Sequence, residues 1–115
     1  MKDNTFTKKV RLNSSSEYAR VFKGAKRSTD SLFTVLAQKN VSSAKLGLAI
    51  AKKNVKKAVK RNLIKRIVRE SFRHEKERLS GYDFVILCRH KAALATKKEL
   101  AKSISKHWDK LIINE

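Results

Sequence analysis

Proline is absent from this 115-residue chain, glycine occurs three times and cysteine once. A lone Cys88 excludes a disulfide scaffold and a cysteine-based metal site. Acidic residues are scarce, with Asp and Glu totalling 10 against 29 Lys and Arg, a formal charge of +19. The few carboxylates do not cluster as a two-metal nuclease site requires. Long apolar runs are missing too, none exceeding five residues where a membrane span needs roughly 18. Met1 to Asn13 alternates charged and apolar residues and predicts no secretory signal. What is present is 41% apolar residues, too many for a disordered basic tail and enough for one modest core. The expectation is one folded intracellular domain, residues 1–115, with no membrane partner and a cationic surface that calls for a polyanion.

With so little proline and glycine, polar clusters punctuate the chain. Ser14 and Glu17 have capping-box spacing and predict a helix over about Ser16 to Lys23, with Gly24 as its C-cap. Residues 31–38 and 45–52 read as strands around the polar turn Asn40 to Ala44, which predicts an antiparallel hairpin; a weaker strand signal lies near 25–29. Val55 to Leu79 carries helical periodicity, with Leu63, Ile64, Ile67, Val68 and Phe72 on one side. Arg61, Asn62, Lys65, Arg66, Arg69 and Arg73 form a basic arc opposite, while Lys60 falls on the apolar side. Gly81 ends this segment. Tyr82 to Arg89 is a strand whose near-continuous apolar run predicts burial on both faces. After a connector, Thr96 and Glu99 form a second capping box, opening a helix with Leu100, Ile104, Trp108 and Leu111 in one stripe. The order α-β-β(-β)-α-β-α describes an α+β fold, an α/β sandwich with helices packed on a mixed sheet.

Between Lys52 and Arg78 stand twelve basic residues and only Glu70, Glu75 and Glu77 as acids. A solvated helix face balances its charges by i,i+4 pairs, and three acids cannot balance twelve bases. Phosphates can, so the pattern points to nucleic acid. The basic helix is joined to a sheet rather than to a second short helix, which favours RNA over a DNA major groove. Tyr18 and Phe22 share one face of the first helix, a spacing that serves core packing and base stacking equally well. Catalytic chemistry has no foothold: His74, His90 and His107 are far apart and without nucleophile partners, and Cys88 reads as a buried small side chain. Neither protein catalytic residues nor a protein metal site is expected.

At the basic helix the residues take on a specific form. Lys52-Lys53 ends a strand, and Lys60-Arg61-Asn62-Leu63-Ile64-Lys65-Arg66 lies on the helix that follows. This stretch, from Ala51 to Arg73, resembles the signature of the bacterial ribonuclease P protein subunit. The likeness extends to the Tyr18/Phe22 helix, the Phe33 strand, Leu46-Gly47-Leu48, Asp83-Phe84-Val85-Ile86 and the Trp108 helix. One departure is Leu63, which stands where the family commonly has the second arginine of its Arg-Asn-Arg core. The resemblance implies a left-handed β-α-β crossover around the basic helix, where pattern reasoning alone expects a right-handed one. It further implies a cytoplasmic ribonucleoprotein that removes the 5′ leader of precursor tRNA, with one protein per RNA subunit and Mg²⁺ held mainly by the RNA. Lys52, Lys53, Arg61, Asn62, Lys65, Arg66, Arg69 and Arg73 would bind the RNA subunit; Tyr18, Phe22, Thr34 and Leu36 would meet the leader. A ribosomal or assembly RNA-binding protein, a DNA-binding nucleoid protein and a stand-alone nuclease are the competing classes.

Overall fold

The computed structural model describes residues 25–41 and 43–112. The helix expected over Ser16 to Lys23, and with it Tyr18 and Phe22, lies outside the described residues. Four strands form one mixed sheet: β1 (Lys26–Thr29), β2 (Phe33–Lys39), β3 (Lys45–Ala49) and β4 (Tyr82–Cys88), in the order β1-β2-β4-β3. Two helices complete the fold, α1 (Ala58–His74) between β3 and β4, and α2 (Lys97–Ile112) after a 3₁₀ turn at His90–Leu94.

The expected hairpin between the second and third strands does not form. β2 pairs antiparallel with β4, and β3 pairs parallel with β4, so β4 is inserted between them. The physical reason is in β4 itself. Its run Phe84-Val85-Ile86-Leu87-Cys88 buries apolar side chains toward both faces, and only a central strand can do so. The polar turn after β2 then serves β4 instead of β3: Asn40 donates its backbone N–H to Gly81 O at 2.7 Å and its side-chain amide to Asp83 Oδ1 at 2.5 Å. Because β3 and β4 are parallel, the chain must cross over between them, and α1 is that crossover. The weak strand signal near 25–29 corresponds to β1, an edge strand antiparallel to β2.

One sheet face carries the main core. Phe33, Val35 and Ala37 of β2 and Phe84, Ile86 and Cys88 of β4 meet Ile64, Val68 and Phe72 of α1 and Leu100, Ile104, Trp108 and Leu111 of α2. Trp108 is fully buried, 5.0 Å from Phe84 and 6.1 Å from Phe72 between ring centroids, and its Nε1 donates to Ser71 Oγ at 2.9 Å. The capping box of α2 is reciprocal: Glu99 N–H donates to Thr96 Oγ1 and Thr96 N–H to Glu99 Oε1. The periodicity through Leu79 overran α1, which stops at His74. Leu79 is nonetheless fully buried, reached through turns that end at Gly81, whose φ of +91° suits a residue without Cβ.

The opposite sheet face holds a second, smaller apolar pair. Leu36 and Val85 face each other across the strands, with Ala25 and Leu87 beside them. Arg27 lies opposite Leu36, and Thr29 opposite Thr34, in the neighbouring strand.

Candidate nucleic-acid interface

The loop between β3 and α1 is built to hold cations outward. Val55, 1% exposed, plugs into the core, while Lys52, Lys53, Lys56 and Lys57 around it are exposed. The backbone turns because Asn54 and Val55 N–H both donate to Ala51 O. Two side chains then lock it. Asn54 donates its amide to Cys88 O at 3.0 Å, tying the loop to the end of β4. Arg61 uses Nη1 for two bonds, to Val55 O at 2.9 Å and Lys56 O at 2.8 Å. One guanidinium nitrogen thus clamps the loop from the first turn of the helix behind it.

α1 starts directly in this cationic setting. Its N-cap is Lys57, without a side-chain capping bond, and its first turn contains no acid. Unsatisfied N–H groups and the positive end of the helix dipole normally attract acidic side chains there. Here four lysines crowd the same end, an arrangement that an external anion would neutralise. Farther along, Asn62, Arg66 and Arg73 are exposed, and Lys65 and Arg69 are half-buried. Leu63 is half-buried as well, beside the buried line of Ile64, Val68 and Phe72. Asn62, Lys65, Arg66, Arg69 and Arg73 therefore share one face of the helix by their spacing, and Lys52 and Lys53 are exposed on the loop that leads into it. Arg61 belongs to that face by position, with one nitrogen already spent on the loop.

Two nearby acids are occupied elsewhere. Arg78, beyond the helix, takes both Glu75 at 2.8 Å and Asp109 at 3.1 Å. Among the described residues there is no group of three or more His, Cys, Asp or Glu side chains able to hold a metal ion. Burial pushes the Cys88 thiol up to about 11, away from thiolate chemistry. His74 and His90 are exposed; His107 is 2% exposed and packs its ring edge-on to Phe33.

Sequence reasoning missed several positioning groups. Lys60, which fell on the apolar side of the helix, donates Nζ to Ala95 O at 2.6 Å and so ties α1 to the connector after β4. Asp30 organises the β1–β2 turn: Oδ1 accepts the N–H groups of Leu32 and Phe33, and Oδ2 accepts Ser103 Oγ–H. His107 shares a 2.7 Å hydrogen bond with Ser28 Oγ through Nδ1, and its Nε2 lies 3.3 Å from Asp30 Oδ2. Burial raises the Asp30 carboxyl, yet the bonds from Ser103, Phe33 and Leu32 and the His107 charge outweigh it and hold the group at about 2. An Asp three residues before a strand start is a turn signal that was readable; the long-range partners were not.

Of the residues expected to meet the leader, Thr34 and Leu36 share the sheet face away from the main core. Thr34 is half-buried and accepts Thr29 Oγ1–H at 3.4 Å. Leu36 is 2% exposed and packs on Val85, so it shapes that face from beneath.

This loop-helix geometry coincides with a sequence match. Residues 6–112 match the family model described as Ribonuclease P. The chain belongs to the ribonuclease P protein family. A ribonuclease P protein component from Methylococcus capsulatus is 43% identical over 104 residues, covering 90% of this chain and 81% of that one. Another from Aliivibrio fischeri is 41% identical over 107 residues, covering 92% of each. The structure of the Staphylococcus aureus RNase P protein superimposes with a TM-score of 0.80 at 25% identity, over 89% of this chain and 96% of that one. The RNase P protein from Thermotoga maritima gives a TM-score of 0.75 at 28% identity, over 87% and 96%. Membership places the chain in tRNA processing, as part of a ribonuclease P ribonucleoprotein with an RNA subunit as partner. Among the described residues no helix is long and apolar enough to cross a membrane.

Proposed function

We propose that this ribonuclease P protein binds the catalytic RNA subunit through the loop 52–57 and the basic arc of α1, and so assists endonucleolytic removal of the 5′ leader from precursor tRNA. The observation that carries this reading is the clamped cationic loop at an uncapped helix N-terminus with no acid in its first turn. Lys52, Lys53, Asn62, Lys65, Arg66, Arg69 and Arg73 would contact phosphates, as would the remaining nitrogens of Arg61. Their charge offsets repulsion where the RNA backbone crowds around its active centre. Hydrolysis belongs to the RNA, which binds the Mg²⁺ that supplies the activated water; the protein contributes no reacting group. Tyr18 and Phe22 would stack on leader bases, and the face bearing Thr34, floored by Leu36, would lie beneath the leader strand. One protein per RNA in the cytoplasm completes the reading.

The test is reconstitution of the full chain with a bacterial ribonuclease P RNA at low Mg²⁺. Precursor tRNA cleavage should rise on addition of protein. No rise, with the protein shown to be folded, would overturn the proposal. Replacing Tyr18 and Phe22 by Ala should weaken binding of precursor tRNA more than mature tRNA; equal losses would exclude leader stacking.

A further inference from the structure

Three loops emerge at one end of the sheet. Phe33 lies opposite Cys88 and Ala49 opposite Leu87, so the β1–β2 turn, the 50–57 loop and the connector after β4 all gather beside the C-terminal end of β4. Between the turn and the connector is an open pocket of about 450 Å³, lined by Ser31, Leu32, Lys91, Leu94, Ala95 and Glu99. Its rim residue Leu94 is 89% exposed. The exposure follows from the backbone: in the 3₁₀ turn His90–Leu94 the buried Ala92 and the buried C-cap Ala95 face inward, which leaves Leu94 outward. An isolated exposed leucine is unremarkable, but this one borders a pocket within a cationic surround.

The surround carries a positive excess. Arg89, Lys91, Lys97 and Lys98 are exposed, and Arg89 donates Nη1 to Asp30 O at 2.7 Å. Two carboxylates stand among them and keep their charge: Asp30 accepts the turn amides and Ser103, and Glu99, which lines the pocket, accepts the Thr96 N–H. The Lys60–Ala95 bond ties this region to the first turn of α1, where the 50–57 loop meets the helix. A small apolar recess bordered by cations matches the two parts of a nucleotide, a base with an apolar face and an anionic phosphate. A protein partner would need to bury roughly 1,000 Å² or more in total around an apolar centre, and one leucine beside one small pocket is a narrow centre for that.

We propose that this pocket receives a single unstacked base of the RNA that lies along the 50–57 loop, with Leu94 packed on the base and Lys91 on an adjoining phosphate. The proposal rests on the RNA-binding reading above and adds a second contact region to it. The test uses the full-length protein with a bacterial ribonuclease P RNA, comparing Leu94→Ser, Lys91→Gln and Arg66→Gln. Leu94→Ser should weaken RNA binding about five- to tenfold with the salt slope unchanged, because an apolar contact releases no counterion. Lys91→Gln should lower the slope by about 0.7–0.9. Chemical probing of the RNA should show an unpaired base that the wild-type protein protects and the Leu94→Ser protein does not. The melting temperature of free Leu94→Ser should match the wild type, since Leu94 is exposed, which separates lost contact from lost folding. Binding within twofold of wild type and unchanged protection, while Arg66→Gln still weakens binding, would overturn the pocket alone. If Arg66→Gln also binds normally, the broader RNA reading fails. If Leu94→Ser alters self-association in sedimentation and leaves RNA binding intact, the occupant is a second copy and the proposal is wrong.

Discussion

Replacing Arg61 by Lys separates two roles that a basic residue can play at this interface. One guanidinium nitrogen, Nη1, donates to two carbonyls, Val55 O and Lys56 O, with both bonds under 3 Å. Hydrogen bonds to a charged group contribute about 1.5–3 kcal/mol each when dry. This group is half-buried and one of its bonds is exposed, so about 1 kcal/mol each is appropriate, or about 2 kcal/mol for the clamp. Lysine retains the charge, but its nitrogen sits on a stem one bond shorter and lacks the fixed N–H directions of the planar guanidinium. The loop carrying Lys52, Lys53, Lys56 and Lys57 would then have to be ordered on binding, at a cost of about 1–2 kcal/mol, or roughly five- to thirtyfold in affinity. The slope of log K against log salt should stay unchanged, because no charge is removed. Trypsin should also cut free Arg61→Lys faster at Lys52 and Lys53 than it cuts the wild type, a readout that does not involve RNA. The measurement is binding to the RNA subunit between about 50 and 200 mM salt, with limited proteolysis of the free protein. Affinity within twofold of wild type together with unchanged proteolysis would refute the clamp. A slope that falls by about 0.7–0.9 in Arg61→Gln would then make Arg61 a simple phosphate contact.

Arg66→Gln should remove one exposed phosphate contact, lowering the salt slope by about 0.7–0.9 and leaving urea stability unchanged, as measured by RNA titration and equilibrium unfolding. Trp108→Phe should destabilise by about 1–3 kcal/mol, because it removes the bond to Ser71 Oγ and leaves a gap against Phe72 and Phe84; a midpoint unchanged in urea would contradict the packing described. Acid should destabilise the protein in two stages. Burial disfavours the charged His107, against the pull of Asp30, so its folded pKa lies below the ordinary 6.5 and stability falls as pH drops below about 6.5. Asp30, lowered from 3.8 to about 2, contributes stability above pH 3.8 that is lost toward pH 2, about 1–2 kcal/mol once its one-third exposure is allowed for. His107→Gln should flatten the upper stage in pH-dependent unfolding; a wild-type profile flat between pH 7 and 5 would rule out that assignment.

Much of this architecture follows from local pattern. The capping box at Thr96 and Glu99, the stripe ending in Trp108 and Leu111, and the two-sided burial of β4 all depend on residues a few positions apart, and each forms as spacing requires. Strand partnership does not. The polar turn at Asn40 predicts a hairpin equally well whether its amide faces β3 or Asp83, which is 43 positions away. The choice is made by the apolar demand of β4, and a turn signal contains no information about a strand that comes later.

The same distinction applies within the basic surface. Composition shows which positions are cationic, and Lys60, Arg61, Arg66 and Arg73 look alike on that count; periodicity sets only Lys60 apart, on the apolar side. Their partners divide them. Lys60 and Arg61 are tied to Ala95, Val55 and Lys56 carbonyls, whereas Arg66 and Arg73 extend into solvent. A carbonyl bonded at 2.6–2.9 Å holds one orientation of the charged group, while an exposed guanidinium is free to meet a phosphate. Tethered cations at the start of α1 therefore set the shape of the loop, and free ones on the loop and along the helix supply the countercharge. A surface made only of free cations would have to order its loop at each encounter. One made only of tethered cations would have few donors left for RNA. The salt slope should then count the free group, and the affinity at fixed slope should report the tethered one.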